Sequence, residues 1–181
     1  MESRTVDVFL LAENRLLREA LIRILSKKTD IRVVGAAPYS PTTQKQIIAI
    51  RPSIVLLDSV GPVFSETRLV STLLAAIPGL RIAMIDMEVD PNTFLRAVRE
   101  GVVGYVLKDA SALEVAGMIR AIAAGEAVCP PSLSMALFQV VQRRLSIGGT
   151  SRVLSRREQD LVVLLRERLT NKVVAPVAVG V

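Results

Sequence analysis

A chain of 181 residues with no histidine and a single cysteine has few groups able to do chemistry. Those it has are carboxylates and one lysine standing at the ends of apolar runs. Ile54, Val55, Leu56 and Leu57 lead straight into Asp58, in a stretch bounded by Pro52 and Pro62. Such a run, rich in β-branched residues, reads as a strand buried on both faces, and it delivers Asp58 to the strand's carboxyl end. In open parallel α/β sheets ligands collect in the crevice beyond those ends, so a carboxylate there suggests a site. The alternative is that Asp58 only starts a turn or caps the next helix. Glu13 follows a first apolar run, Asp86 ends a fourth, and Lys108 follows a fifth. The missing histidine excludes a His-based triad or zinc centre, and lone Cys129 excludes a disulfide framework.

The elements that must position these groups follow from periodicity. Val6–Leu11 reads as a strand, and Leu16, Leu17, Ala20, Leu21, Ile24 and Leu25 recur at helical spacing after it. Ile31–Ala36 is a second strand, and Thr42 or Thr43 can cap a helix that ends before Pro52. The Asp58 strand is third. Helical periodicity over Ser65–Ile77 precedes a fourth strand, Arg81–Ile85, and Asp90-Pro91 is a cap followed by proline at the first helical position. Val103–Leu107 is a fifth strand, and Ser111 with Glu114 forms a capping box for a helix through about Ala123, ended by Gly125. Five strands alternating with five helices predict an α/β fold with a doubly wound parallel sheet. With flavodoxin-like strand order 2-1-3-4-5, Glu13, Asp58 and Lys108 converge at the switch point between strands one and three.

Four stretches resemble the receiver domains of two-component response regulators: VFLLAENRLLREAL, IVLLDSVGP, RIAMIDME and GVVGYVLKDAS. The last is similar to the Gly-Tyr-Leu-Leu-Lys-Asp-Ala run of the NarL/FixJ subfamily. The resemblance implies a CheY-like fold over residues 1–128, with Asp58 as phosphoacceptor. It also implies a Mg²⁺ site formed by Glu13, Asp58 and the backbone carbonyl of Val60, and Lys108 as the cation that offsets charge on the transferring oxygens. A carboxylate nucleophile needs both kinds of positive partner. The upstream partner implied is a sensor histidine kinase, and the receiver is expected to form a homodimer.

Three positions depart from that pattern. Ala12 stands where the family has the first member of an acidic pair, which predicts weaker metal binding because Mg²⁺ is demanding about its shell. Asp86 replaces a Thr or Ser hydroxyl, and Met87 replaces a small residue, so one repels the phosphoryl group and the other crowds it. An opposing reading gives Asp86 the missing ligand role or a pairing with Lys108. The preferred expectation is weak or lost phosphorylation. Tyr105 occupies the family's switch-aromatic position, and the alternative is that it simply packs at the sheet edge.

The remaining chain is basic. Through residue 142 there are 15 Lys and Arg against 14 Asp and Glu, and beyond it 8 against 3. A basic tail behind a neutral domain fits contact with phosphate backbones, although a solvated linker face would look similar. Ser132–Leu145 reads as an amphipathic linker helix and SIGGTS as a joint, giving a linker over 129–150. From 151 to 181, LSRREQDLVVLLRERLTNKVVA resembles the first half of a LuxR-type helix-turn-helix domain, with Glu158, Asn171 and Lys172 at signature positions. No recognition helix follows, and the uncharged VVAPVAVGV contains Pro176, which predicts an incomplete DNA-binding domain. Arg156, Arg157 and Lys172 are then expected to make phosphate contacts without sequence selection.

A transcription regulator of the response-regulator class is the leading expectation. The alternative is a phosphorylation-independent module that works by receiver dimerisation without DNA. An enzyme of the haloacid dehalogenase type would need a second Asp two residues after the nucleophile, where this chain has Val60. With no roughly 20-residue apolar run and no signal-peptide pattern, the sequence predicts a cytoplasmic chain without a membrane span.

Overall fold

The computed structural model describes residues 5–58 and 68–147. In chain order these are β1 (Val6–Leu11), α1 (Arg15–Leu25), β2 (Ile31–Ala37), α2 (Pro41–Ile50), β3 (Ile54–Leu57), α3 (Leu69–Ala76), β4 (Arg81–Met87), α4 (Pro91–Glu100), β5 (Gly104–Leu107), α5 (Ala112–Ala123) and α6 (Pro131–Ile147). All strand pairs are parallel and the order is β2-β1-β3-β4-β5, the order required to bring the ends of β1 and β3 together. Val60, the start of the helix expected from Ser65, residues 148–151 of the expected joint and the expected DNA-binding residues Arg156, Arg157 and Lys172 lie outside the described residues, while Ser146 and Ile147 of that joint belong to the end of α6.

Alternation along the strands builds two cores. Phe9, Leu11, Val55, Leu57, Ile82 and Met84 face one layer, where Ile47 of α2, Leu73 of α3 and Phe94 of α4 cover them. Val8, Leu10, Ile54, Leu56, Ala83 and Ile85 face the other, covered by Leu21 and Leu25 of α1 and by Val115, Ile119 and Ile122 of α5. All four residues of β3 are buried, which is why its sequence shows no polar alternation. Gly104 opens β5 because the sheet and α5 meet there. A Cβ at that position would stand 2.5 Å from Ile122 Cδ1 and 2.8 Å from Ala83 Cβ.

Helix ends follow local chemistry. Asp90 accepts from the N–H groups of Asn92 and Thr93, and the Ser111–Glu114 box closes in both directions. The α2 cap is Ser40 rather than Thr42 or Thr43: its hydroxyl accepts from Thr43 N–H, and Pro41 takes the first helical position, where a missing donor costs nothing. Leu133, in the first turn of α6, is fully buried in the α2–α4 core, so this compact unit runs on to Gln139. Among the described residues no helix is long and apolar enough to cross a membrane.

β4 departs from expectation and bears on the site. It continues two residues past Ile85 and carries a bulge, because the register with β5 slips between Met84 and Met87. Asp86 is the extra residue, in the left-handed conformation at φ 59°. One inserted residue reverses the alternation, so Met84 and Met87 both enter the α2–α4 core.

Candidate functional site

The carboxyl ends of β1 and β3 lie side by side, with Leu11 paired to Leu57. Asp58, the next residue, is 4% exposed although its side chain is charged in water. Its backbone N–H donates to Leu11 O (3.2 Å), which ties the site to β1. Oδ2 accepts from Glu13 N–H at 2.6 Å and from Asn14 N–H at 3.2 Å, so the turn after β1 presents two amides to one carboxylate oxygen. Oδ1 is buried and has no hydrogen-bond partner among the described residues. A buried acceptor left unpaired is costly, and Oδ1 is therefore the oxygen with capacity for an incoming group.

Electrostatics around Asp58 run against a charged form. Burial pushes its carboxyl above the ordinary carboxylate value, the Asn14 and Glu13 amides pull it down, and the Glu13 and Asp86 carboxylates push it up again. The structure does not turn the neighbouring side chains toward a shared ion. Glu13 Oε1 accepts from Tyr39 N–H at 2.7 Å, in the connection between β2 and α2. Lys108 Nζ is 2.5 Å from Glu88 Oε1, so its ion pair is with Glu88 rather than with Asp86. That partner raises the lysine further, as do the more distant Asp86 and Asp109 charges.

Position 12 offers only a methyl group, buried at 1% exposure. Among the described residues no three carboxylate or thiol groups stand together as metal ligands. The donor set described around Asp58 thus does not by itself fit a divalent cation, which needs several oxygens at close range.

Tyr105 lies inward on β5, 2% exposed, with its ring edge-on to Phe94 at 5.1 Å and 78°. Its hydroxyl donates to Glu88 O at 3.2 Å. Burial and the Asp90 and Glu88 charges push the phenol up to about 12. Met87 is likewise core, 5% exposed beside Leu107 in the register. The main chain links this layer to the lysine, since Lys108 N–H donates to Met87 O at 2.9 Å.

Residues that sequence reading passed over also shape the site. Asn14 supplies an amide to Asp58 and caps α1, its side chain accepting from Leu17 N–H. Glu88 holds both Lys108 and the Tyr105 hydroxyl. Arg18 reaches back from α1 to the carbonyls of Ala12 and Glu13. Only the Asn14 cap had a local signal, a polar residue just before an apolar-periodic helix.

No family model matches the chain. It is 28% identical over 170 residues to the DNA-binding transcriptional activator DevR/DosR of Mycobacterium tuberculosis, covering 94% of this chain and 78% of that protein. It is 22% identical over 171 residues to the response regulator VraR of Staphylococcus aureus, covering 94% and 80%. Among solved structures, the signal receiver domain of the response regulator NarL from Mycobacterium tuberculosis has a TM-score of 0.62 at 25% identity, over 68% of this chain and 99% of that one. A LuxR-family two-component response regulator from Aurantimonas has a TM-score of 0.66 at 23% identity, over 75% and 96%.

Proposed function

From the premise that this chain is homologous to LuxR-family response regulators over nearly its whole length and has the receiver fold, we propose that it is a DNA-binding response regulator with a weakened phosphoacceptor site at Asp58. The observation that carries the second half is the placement of charge. Asp58 is buried, carboxylates at Glu13 and Asp86 act on it, and the lysine that would offset a phosphoryl group is paired with Glu88.

The step in question is attack of Asp58 Oδ1 on the phosphorus of a phosphohistidine or a small acyl phosphate. The new O–P bond forms as the bond to the donor's leaving group breaks, and the product is an aspartyl phosphate. Negative charge on the transferring oxygens must be met by preorganised positive groups, which supply much of the rate in such reactions. Here the two peptide amides on Oδ2 are the described positive partners. They hold the nucleophile rather than the phosphoryl oxygens. Phosphorylation by a sensor histidine kinase is therefore expected to be slow, with Mg²⁺ giving little help.

The test is incubation with a small phosphodonor, with and without Mg²⁺, followed by intact mass. Slow or undetectable addition is expected. Near-complete, stable addition that disappears in Asp58→Ala would overturn the weakened-site reading. For the DNA half, the basic stretch beyond residue 142 supplies the cations, including Arg156, Arg157 and Lys172. Titration against promoter and scrambled duplexes should show weak binding to both, with affinity falling as salt rises because counterion release drives it. A tight, salt-resistant preference for the promoter would show that this chain reads base sequence.

A further inference from the structure

Arg18 lies one turn into α1, and its guanidinium folds back over the connection between β1 and α1. The same nitrogen, Nη1, donates to Ala12 O and to Glu13 O, the latter at 3.0 Å. Those carbonyls belong to the two peptide groups whose opposite ends are the N–H groups of Glu13 and Asn14. Both N–H groups hold Asp58 Oδ2. Each peptide therefore has a cation at its oxygen and a carboxylate at its hydrogen. Both charges polarise it in one sense, and hydrogen bonds in series strengthen one another where water is scarce.

The geometry points to Arg18 as the positioning residue of the Asp58 site: it clamps the β1–α1 turn so that two polarised amides, rather than a carboxylate-held metal ion, carry the charge on Asp58 Oδ2. The turn has the supports such a device needs. Ala12 N–H is fixed to Ala37 O at 3.1 Å, and Arg18 N–H is fixed to Asn14 O at 3.1 Å, so both ends of the three-residue connection are anchored. Ala12 adds no second carboxylate to the turn beside Glu13. The guanidinium is planar and permanently charged, which suits it to two carbonyls at once. This inference takes from the proposed function only that Asp58 is the centre of the site, and it holds whether or not Asp58 is phosphorylated.

Amide hydrogen exchange and proton shifts in the ¹⁵N-labelled full chain test it. In Arg18→Ala the Glu13 and Asn14 amides should exchange about tenfold faster, the scale of losing one hydrogen bond to a charged group, and move upfield. The Leu21, Ile22 and Leu25 amides of α1 should keep their rates. Asp58→Asn should release the same two amides, and the double variant should gain less than the product of the two effects, because one chain of bonds is being cut twice. Arg18→Lys should restore part of the protection and Arg18→Gln less, since only lysine keeps the charge. Those two variants carry the test if Arg18→Ala does not fold. Unchanged Glu13 and Asn14 amides in Arg18→Ala, effects that simply multiply, or equal rescue by lysine and glutamine would overturn the inference. A surprise in the phosphodonor experiment leaves these rates untouched, so failure of one reading is distinguishable from failure of the other.

Discussion

Replacing Met87 with alanine is expected to lower stability by about 2–5 kcal/mol, the range for emptying a buried large side chain. Met87 is 5% exposed and belongs to the core that contains Phe94, Tyr105 and Leu107. Read from sequence, the same residue is an obstacle beside Asp58, and removing it is a repair. The bulge at Asp86 changes that expectation, because it turns Met87 into the α2–α4 layer together with Met84. Methionine is flexible and its neighbours can partly follow a truncation, so the lower half of the range is the better expectation. Urea denaturation of wild type and Met87→Ala measures it, with the slope compared to confirm that only stability changed. A loss well under 1 kcal/mol would mean that the side chain fills no real volume in the core.

What was legible in the sequence was set by burial. β3 is buried on every side, so hydrophobicity alone outlines it and places Asp58 at its end. The capping chemistry of Asp90 and Ser111 is local, and it too could be read directly. The convergence of β1 and β3 needed the flavodoxin-like order 2-1-3-4-5 in addition to the alternation of strands and helices, and the sheet has that order. The bulge was not legible, since nothing in RIAMIDM distinguishes a seven-residue strand from one with an inserted left-handed residue. Aspartate tolerates that conformation without demanding it. Side-chain pairings were equally hidden. On sequence grounds Lys108 could serve Asp58 or Asp86, and the structure pairs it instead with Glu88, which reaches it from beyond the bulge. Arg18 looks like any exposed residue of an amphipathic helix until the fold brings the amides of Glu13 and Asn14 onto Asp58.

Asp86→Thr is expected to cost about 1–3 kcal/mol, the usual price of holding a poorly suited residue in a sparsely populated backbone region. Position 86 has φ 59°, and a β-branched side chain fits the left-handed region badly, whereas Asn enters it readily and Gly without strain. The order of stability should be Gly and Asn near wild type, with Thr well below. This bears on any attempt to restore phosphoryl transfer by Ala12→Asp, Asp86→Thr and Met87→Ala together. That triple change adds a metal ligand and a hydroxyl donor, so it should raise modification of Asp58, whereas the space opened by Met87→Ala lies in the α2–α4 core rather than beside Asp58. It also strains the bulge and empties part of the core at adjacent positions, where the two losses need not add. Asp86→Asn separates the effects, since it removes a carboxylate that acts on Asp58 and keeps the backbone conformation. Modification of Asp58 should therefore increase in Asp86→Asn with little loss of stability, and in Asp86→Thr only alongside a lower denaturation midpoint. Thermal melts and intact mass after phosphodonor treatment, run on both variants, decide the matter. Equal stability of the Thr and Asn variants would show that the left-handed backbone at position 86 is not what β4 requires.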